Sequence, residues 1–261
     1  MSFLNKVVII TGAGSGIGEG TAVHFATLSA NLSLIDKNGE SLHKVAEKCG
    51  SLSQTKVLEF HADVSNDEEI KQAVDNTMKE FGKIDVVVNC AGIIAYRGIL
   101  DSDLLSVFDK VISVNLRSMV AMTHFAAPAL IESKGCVVNI SSVMARMVSK
   151  GSLPYNVSKA AVAHFTKNAA YDLAEKGVRV NSILPGPVET NILLSAGNTN
   201  EENDKLWELF ATAVPLQHNI NACEIAEMVA YLASDKAKSI TGAEFVVDSG
   251  LILSGMPNAP K

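Results

Sequence analysis

The sequence predicts an α/β protein with a doubly wound, mostly parallel seven-stranded sheet and helices on both faces. Seven short runs rich in β-branched residues alternate with longer segments of helical period. Runs such as Val7-Val8-Ile9-Ile10 are apolar throughout, which is typical of strands that helices cover on both sides. The 261 residues, 48% of them hydrophobic, are enough to bury one large core.

The predicted strands and helices alternate along most of the chain. The segment 66–81 has apolar side chains every three or four residues, including Ile70 and Val74, which predicts an amphipathic helix. Further helices are predicted at 21–28, 119–130 and 160–174. The predicted strands are 6–11, 31–36, 56–61, 84–89, 135–141, 178–184 and 244–248.

Composition and charge exclude several classes of protein. A net charge of −6 argues against nucleic acid as the main ligand. The four cysteines lack the spacing of zinc ligands, so neither a metal site nor a disulfide framework is expected, and a reduced, cytoplasmic location fits best. Neither a signal peptide nor a membrane-spanning stretch is expected, because the most apolar stretch, 119–131, is too short and is interrupted by polar residues.

A glycine-rich turn follows the first predicted strand and precedes a predicted helix, in the sequence Thr11-Gly12-Ala13-Gly14-Ser15-Gly16-Ile17-Gly18. Glycines allow the backbone to turn tightly and to approach a pyrophosphate, whose charge is met by free N–H groups at the helix N-terminus. This context indicates a dinucleotide site on a Rossmann fold. A P-loop is excluded, since no Gly-Lys-Ser/Thr follows the turn.

Asp36, at the end of the second predicted strand, points to the cofactor. A carboxylate there accepts hydrogen bonds from ribose hydroxyls and repels a 2′-phosphate, so NAD is favoured over NADP. Lys37 beside it offsets part of that repulsion.

Tyr155 and Lys159 stand one helical turn apart, which puts a phenol and an ammonium on the same face. A free tyrosine titrates near ~10 and needs a nearby cation to act as a base at neutral pH. Ser142 follows the predicted strand 135–141, at the edge of the sheet where ligands bind in such folds.

With these residues in place, the sequence resembles the single-domain short-chain dehydrogenases/reductases over nearly its whole length. The family's motifs occur in the family's order: Thr11 to Gly18, Asp63-Val64, Asn89-Cys90-Ala91-Gly92, Asn115, Ser142, Tyr155 with Lys159, and Pro185-Gly186. One departure is Cys90, where the family more often has asparagine, and this small residue is expected to pack without harm to catalysis. Ser141 has the family's non-catalytic position beside Ser142.

The resemblance implies a role for each matched residue. Tyr155 is the expected acid/base, with Ser142 bonded to the same substrate oxygen. Lys159 is expected to hold the nicotinamide ribose and, aided by the positive nicotinamide ring, to lower the pKa of Tyr155. Asn115 is expected to help order a proton-relaying water. No metal is implied. The implied cofactor-binding residues are Gly12, Ser15, Gly16, Ile17, Gly18, Asp36, Asp63, Val64, Asn89, Ala91, Gly92, Tyr155, Lys159, Pro185, Gly186, Val188 and Thr190.

Residues 1–261 are predicted to form one dinucleotide-binding and catalytic domain, with a substrate lid at about 186–214 and a surface arm at 254–261. The substrate is expected to contact a mainly apolar surface, which favours a hydrophobic secondary alcohol or ketone, steroid-like, terpenoid or fatty. Arg97 and Arg146 are candidate partners for an acid group, so a substrate that carries one is also compatible with the sequence. The expected lining is Ile93, Ile94, Val143, Met144, Met147, Val148, Leu153, Tyr155, Ile192, Leu193, Leu194, Trp207 and Phe210.

Two other functions remain open from sequence. One is reduction of 3-oxoacyl groups on an acidic carrier protein, for which Arg97, Arg146 and Lys150 are the candidate docking cations. The other is a non-catalytic dinucleotide-sensing protein on the same fold. The partners expected are a small hydrophobic alcohol or ketone and further copies of the chain in a homotetramer, because helices 119–130 and 160–174 are rich in small apolar residues.

Overall fold

Seven parallel strands form one sheet in the order β3-β2-β1-β4-β5-β6-β7. The computed structural model describes residues 1–53 and 55–254, so the predicted arm lies outside the described residues except for its first residue. The strands are β1 (Val7–Thr11), β2 (Asn31–Asp36), β3 (Val57–His61), β4 (Val86–Asn89), β5 (Cys136–Ile140), β6 (Arg179–Pro185) and β7 (Glu244–Val247). Each lies within a residue or two of its predicted range. The prediction of a doubly wound parallel sheet in a single domain is confirmed.

The helices connect successive strands and cover both faces of the sheet. They are α1 (Gly16–Thr27), α2 (Gly39–Leu52), α3 (Asp67–Phe81), α4 (Leu104–Ile112), α5 (Ser118–Ser133), α6 (Leu153–Ala174), α7 (Asn200–Ala213), α8 (Ala222–Ala233) and α9 (Leu251–Ser254). A π-helical turn, Ser113–Arg117, joins α4 to α5, and 3₁₀ turns occupy Val143–Ala145, Asn191–Ala196 and Asp235–Ala237.

Alternation along the strands divides the core into two layers. Val8 and Ile10 pack on one side of the sheet in a cluster with side chains of α1, α2 and α8, such as Phe25. Ile9 packs on the other side in a cluster with side chains of α3, α5 and α6, such as Met122. Because both faces are covered, the central strands β1, β4 and β5 are buried at every position, and β1 and β4 are apolar except for their last residues.

Asp85 joins the starts of three strands at the edge of the sheet opposite the carboxyl ends. Its carboxylate accepts hydrogen bonds from the Val7 amide (2.8 Å) and the Lys6 ammonium (2.9 Å), and Lys83 lies 2.9 Å away. Its carbonyl accepts from the Cys136 amide (3.0 Å). Burial alone raises the pKa of Asp85, but these donors together hold it below its usual value.

In the part of the chain that the structure describes, none of the helices combines the length and apolar content needed to cross a bilayer.

Replacing Asp85 by Asn tests the role of this carboxylate in joining the strands. We expect a loss of about 1–3 kcal/mol in the free energy of unfolding at pH 7, because a buried group loses charge-assisted hydrogen bonds. Asp85→Asn is compared with Asp75→Asn, which removes an exposed pair with Lys71 worth under about 1 kcal/mol. Urea midpoints measure both losses.

The same variant carries a pH signature. A carboxyl whose pKa is lowered by folding stabilises the native state above its unfolded pKa of about 3.9, and that stabilisation is lost as pH falls through the folded pKa. The difference between the wild type and Asp85→Asn is therefore constant from pH 7 to 5 and shrinks below pH ~4. A difference that grows on acidification contradicts the assignment.

Candidate active site

A cavity of about 1090 Å³ opens outside the carboxyl ends of the central strands, where the strand order reverses between β1 and β4. It is larger than the roughly 300–1,000 Å³ of a typical single-ligand pocket. A dinucleotide and a second small molecule can therefore lie there together. The predicted site residues that line it are Gly12, Ser15, Gly16, Ile17, Asp36, Asp63, Val64, Ala91, Gly92, Ser142, Tyr155, Lys159, Pro185, Gly186, Val188 and Thr190.

The glycine turn forms the floor at the N-terminus of α1. Gly12 has φ +68°, and a Cβ on it would come within 2.8 Å of the Ala91 Cα. Gly16 has φ +56°, and a Cβ there would come within 3.0 Å of the Thr190 side chain. Larger residues are therefore excluded at both positions, and the amides of the first turn of α1 face the cavity, as a pyrophosphate requires.

Asp36 extends its carboxylate over this turn from the end of β2. Its oxygens accept hydrogen bonds from the Gly14 amide (2.9 Å) and the Asn38 amide (2.8 Å). A second carboxylate, that of Asp63, lines the cavity and accepts from the amide and hydroxyl of Ser65, which lower its pKa. The residues present fit the adenosine end of a dinucleotide, because both carboxylates are fixed where hydroxyl and amino donors of a ligand are needed.

Thr11 positions the loop that follows β4. Its hydroxyl accepts hydrogen bonds from the amides of Cys90 (3.0 Å) and Ala91 (3.1 Å). A Cβ on Gly92 would lie 3.4 Å from the Lys159 ammonium, so this loop passes close to the catalytic side chains. Cys90 packs against the core, as expected, and burial raises the pKa of its thiol to about 12.

Three predicted site residues are buried behind the cavity and do not line it. Gly18 packs so tightly that a Cβ would meet the Gly12 carbonyl oxygen at 2.0 Å. Asn89 donates to Asn139 Oδ1 (2.8 Å) and thereby joins β4 to β5. Asn115 bonds the backbone of Ile93, in the loop that follows β4. These residues support the site from behind, and the assignment of Gly18 and Asn89 to the cofactor site stays a prediction.

Tyr155 and Lys159 lie side by side near the start of α6, with the Lys159 nitrogen 5.7 Å from the centre of the Tyr155 ring. The two residues are 9% and 3% exposed. Burial lowers the pKa of Lys159 to about 8, and its ammonium donates to the Ile140 carbonyl (3.0 Å). Burial also raises the pKa of Tyr155 above its usual value, while the Ser142 hydroxyl acts to lower it.

In the chain alone, burial raises the pKa of Tyr155, so the expectation that Lys159 and the positive nicotinamide ring together lower it stays a prediction. The cost of burying a phenolate exceeds what Ser142 returns. Lys159, with a pKa of about 8, still carries its positive charge at pH 7. Tyr155 is a protonated phenol at neutral pH unless a bound ligand adds positive charge.

The two neighbouring serines after β5 have different partners. The Ser142 hydroxyl lies beside Tyr155 and accepts from the Met144 amide (3.1 Å). The Ser141 hydroxyl donates to the Lys159 carbonyl (2.8 Å) and so anchors α6. Both serines line the cavity, and Ser142, which the family resemblance marks as the catalytic position, is the one bonded to the phenol.

Ser158 connects Asn115 to the catalytic helix. The Asn115 amide exchanges two hydrogen bonds with the backbone of Ile93 (2.8 and 2.9 Å) and donates a third to the Ser158 hydroxyl (3.0 Å). The Ser158 hydroxyl in turn donates to the Tyr155 carbonyl (2.7 Å). Asn115 lies in the π-helical turn, whose extra residue moves its side chain off the regular helical register.

The substrate end of the cavity is apolar. Of the expected lining residues, Met147, Leu153 and Leu194 do not border the cavity. Arg97 and Arg146 are paired elsewhere, with Asp103 (2.7 Å) and Glu244 (2.8 Å), and neither borders the cavity, so they are not available to a substrate acid group. The apolar side chains present are Ile93, Ile94, Val143, Met144, Val148, Ile192, Leu193, Leu206, Trp207, Leu209 and Phe210.

Sequence reasoning missed several residues of this site, and two of them bear on its geometry. Tyr96 lines the cavity, and Ser158 bridges two predicted catalytic residues. Ser158 precedes Lys159 in the chain, so the sequence places it near the site but does not indicate that it bridges two other residues. Tyr96 lies in an irregular loop, and no periodic pattern marks its direction.

The fold and the site together define a class of protein, the nicotinamide-dinucleotide oxidoreductases. Comparison with known proteins agrees. The family model described as "Enoyl-(Acyl carrier protein) reductase" matches residues 12–252. Meso-2,3-butanediol dehydrogenase of Serratia marcescens is 34% identical over 258 residues, which cover 98% of this chain and 99% of the relative.

Two further matches extend the comparison. The 3-oxoacyl-[acyl-carrier-protein] reductase FabG of Thermotoga maritima is 33% identical, over 97% of this chain and 100% of the relative. The structure of a 7α-hydroxysteroid dehydrogenase complexed with NADH and 7-oxo glycochenodeoxycholic acid has a TM-score of 0.88 and 28% identity, over 95% of each chain. The chain belongs to the short-chain dehydrogenase/reductase family and is an oxidoreductase that acts on CH–OH groups.

Ser158→Ala tests the link between Asn115 and helix α6. Loss of the bridging hydroxyl lets both groups shift, so we expect kcat to fall roughly two- to tenfold, the value of one hydrogen bond. The dissociation constant for NADH, measured by fluorescence, should stay within about twofold, since the hydroxyl does not border the cavity.

Ser133→Ala is the matched control, because its hydroxyl bonds the Ile84 carbonyl (2.7 Å) at the opposite edge of the sheet. Its kcat should equal that of the wild type. A Ser158→Ala variant with weakened NADH binding and unchanged kcat contradicts a positioning role.

Proposed function

We propose that the protein is an NAD(H)-dependent oxidoreductase that interconverts a hydrophobic secondary alcohol, steroid-like, terpenoid or fatty, and its ketone. One observation carries the proposal: the buried Tyr155 phenol and the Ser142 hydroxyl meet at the apolar end of the cavity. A carbonyl oxygen bonded by both groups places the rest of its molecule among aliphatic and aromatic side chains. The steroid ligand named for the similar 7α-hydroxysteroid dehydrogenase supports a bulky substrate.

Tyr155 is the proposed acid/base. In the direction of ketone reduction the phenol gives its proton to the substrate oxygen, and in alcohol oxidation the phenolate takes the proton back. When bound, the nicotinamide supplies or accepts the hydride at the carbinol carbon. Ser142 holds the substrate oxygen against Tyr155, and the apolar walls exclude water from the reacting carbon.

Lys159 and Asn115 complete the proposed catalytic set with Ser142 and Tyr155. Lys159 binds the nicotinamide ribose hydroxyls through its ammonium, which already lies at the cavity wall beside Gly92. Asn115 acts by position: its amide fixes the Ile93 backbone and, through Ser158, the start of α6. The remaining cavity residues of the predicted set are the proposed cofactor contacts.

Asp36 supports a preference for NAD. Its carboxylate is fixed over the glycine turn by two backbone amides, where it accepts ribose hydroxyls and repels a 2′-phosphate. Lys37 and Lys110 also border the cavity and weaken that repulsion, so the preference is one of degree.

The segment 186–214 is the proposed lid. Its 3₁₀ turn and helix α7 carry apolar side chains to the cavity, including Leu193, Trp207 and Phe210. Trp207 and Phe210 contact one another, with ring centres 5.9 Å apart, and form one wall of the substrate end. Closure of this wall over a bound substrate is expected to exclude water.

The carrier-protein alternative has less support in the geometry. Arg97 and Arg146 form ion pairs within the chain, which leaves Lys150 as the cation at the cavity among the three docking candidates. The similarity to FabG keeps this substrate class in the assay. A non-catalytic sensing role does not account for Ser142, Tyr155 and Lys159 meeting at one point.

We also propose that the protein is a cytoplasmic homotetramer. Exposed apolar side chains on three neighbouring helices support an interface between copies: Leu105 on α4, Val120 on α5 and Val157 on α6. All four cysteines are free thiols, which suits a reducing compartment.

The test follows reduced-nicotinamide absorbance with hydrophobic secondary alcohols and ketones, a carrier-linked 3-oxoacyl substrate, and NAD or NADP. We expect turnover of a hydrophobic alcohol or ketone with a higher kcat/KM for NAD. Tyr155→Phe should lower kcat/KM about 10²- to 10⁴-fold by removing the proton donor, while NADH still binds. Turnover of the carrier-linked substrate alone, or full activity in Tyr155→Phe, contradicts the proposal.

A further inference from the structure

A second phenol, that of Tyr96, borders the same cavity as Tyr155. The residue is 40% exposed, so its ring is partly covered and partly open to the cavity. Among residues 1–53 and 55–254, none forms a hydrogen bond with its hydroxyl. An unpartnered donor in a mainly apolar pocket is a group that a ligand can satisfy.

The loop that carries Tyr96 is fixed on both sides. Before it, the Ile93 backbone is held by the Asn115 amide (2.8 and 2.9 Å). After it, the Arg97 carbonyl accepts from the Leu153 amide (3.1 Å) at the start of α6. The first anchor uses a residue of the proposed catalytic set, and the second lies two residues before Tyr155.

Arg97 also holds Tyr96 directly. Its guanidinium donates to the Tyr96 carbonyl (2.7 Å) while it binds both oxygens of Asp103 (2.7 and 2.8 Å). The exposed Arg97–Asp103 ion pair adds little to the stability of the protein, but it fixes the backbone of Tyr96. Tyr96 is therefore positioned relative to the catalytic residues by contacts on its own backbone.

Both phenols line the same cavity. Burial is the main cause of the raised pKa of Tyr155, with a further contribution from Tyr96, and burial raises the pKa of Tyr96 itself. Tyr96 therefore stays protonated through the neutral range and acts as a donor. A ligand bonded to Tyr155 through its reacting oxygen lies in the cavity that Tyr96 also borders.

We propose that Tyr96 determines specificity by donating a hydrogen bond to a second oxygen of the substrate, near the reacting carbon, so that the preferred substrates are diols, hydroxyketones or diones. This inference rests on the proposed function and narrows its substrate class. A substrate with a single oxygen leaves the Tyr96 hydroxyl without a partner once the cavity is filled. Such a site discriminates against the analogue that lacks the second oxygen.

The test compares paired substrates that differ by one hydroxyl: cyclohexanol with cyclohexane-1,2-diol, and 1-indanol with indane-1,2-diol. Wild-type protein with NAD should turn over the diol of at least one pair with a kcat/KM on the order of tenfold higher, the value of one hydrogen bond. In Tyr96→Phe this ratio should fall to about one.

Tyr171→Phe is the matched control, since it removes a phenol hydroxyl that is 84% exposed on the outer face of α6. It should keep the wild-type ratio. Mono-alcohol turnover without a diol preference, or a preference that survives in Tyr96→Phe, overturns the inference and leaves the proposed function standing. Failure of the wild type on every member of both pairs and on the wider panel overturns the proposed function, and this inference with it.

Discussion

The geometry of the candidate active site depends on the hydrogen bonds that hold helix α6 against strand β5. Three buried hydrogen bonds make this contact: Ser141 Oγ donates to the Lys159 carbonyl, Lys159 Nζ donates to the Ile140 carbonyl, and Asn139 donates to the Thr166 hydroxyl. A shift of α6 by one residue would break all three. These buried polar groups therefore fix the position of α6 along β5, and with it the position of Tyr155 at the end of β5. The surrounding layer is apolar, so a hydrogen bond lost there destabilises the protein more than one lost at the surface.

The same burial sets the electrostatics of the catalytic residues. Taking a phenol and an ammonium out of water favours the neutral form of each, so the pKa of Tyr155 rises and that of Lys159 falls to about 8. In the chain alone, Tyr155 is therefore a proton donor rather than a base. In the proposed mechanism, the positive charge of a bound oxidised cofactor would oppose this effect of burial and so couple the protonation of Tyr155 to occupancy of the dinucleotide site.

Much of this could be predicted from the sequence because it follows from local pattern. Apolar β-branched runs gave the strands, and glycines that tolerate positive φ marked the turn before α1. The pKa of Tyr155 could not be predicted, since the spacing of Tyr155 and Lys159 shows that they are neighbours but not how deeply they are buried. The position of Tyr96 at the cavity and the pairing of Arg97 with Asp103 could not be predicted either, because irregular loops have no periodic pattern that indicates side-chain direction.

The most direct measurement is the ionisation of Tyr155, followed as the ultraviolet difference absorbance of tyrosinate between the wild type and Tyr155→Phe, with and without NAD. We predict that without NAD this tyrosine titrates above its usual pKa of ~10, because burial disfavours the phenolate, and that saturating NAD lowers that pKa. A Tyr155 that already titrates well below ~10 without NAD would contradict it, since the side chains of the chain alone would then suffice to form the base.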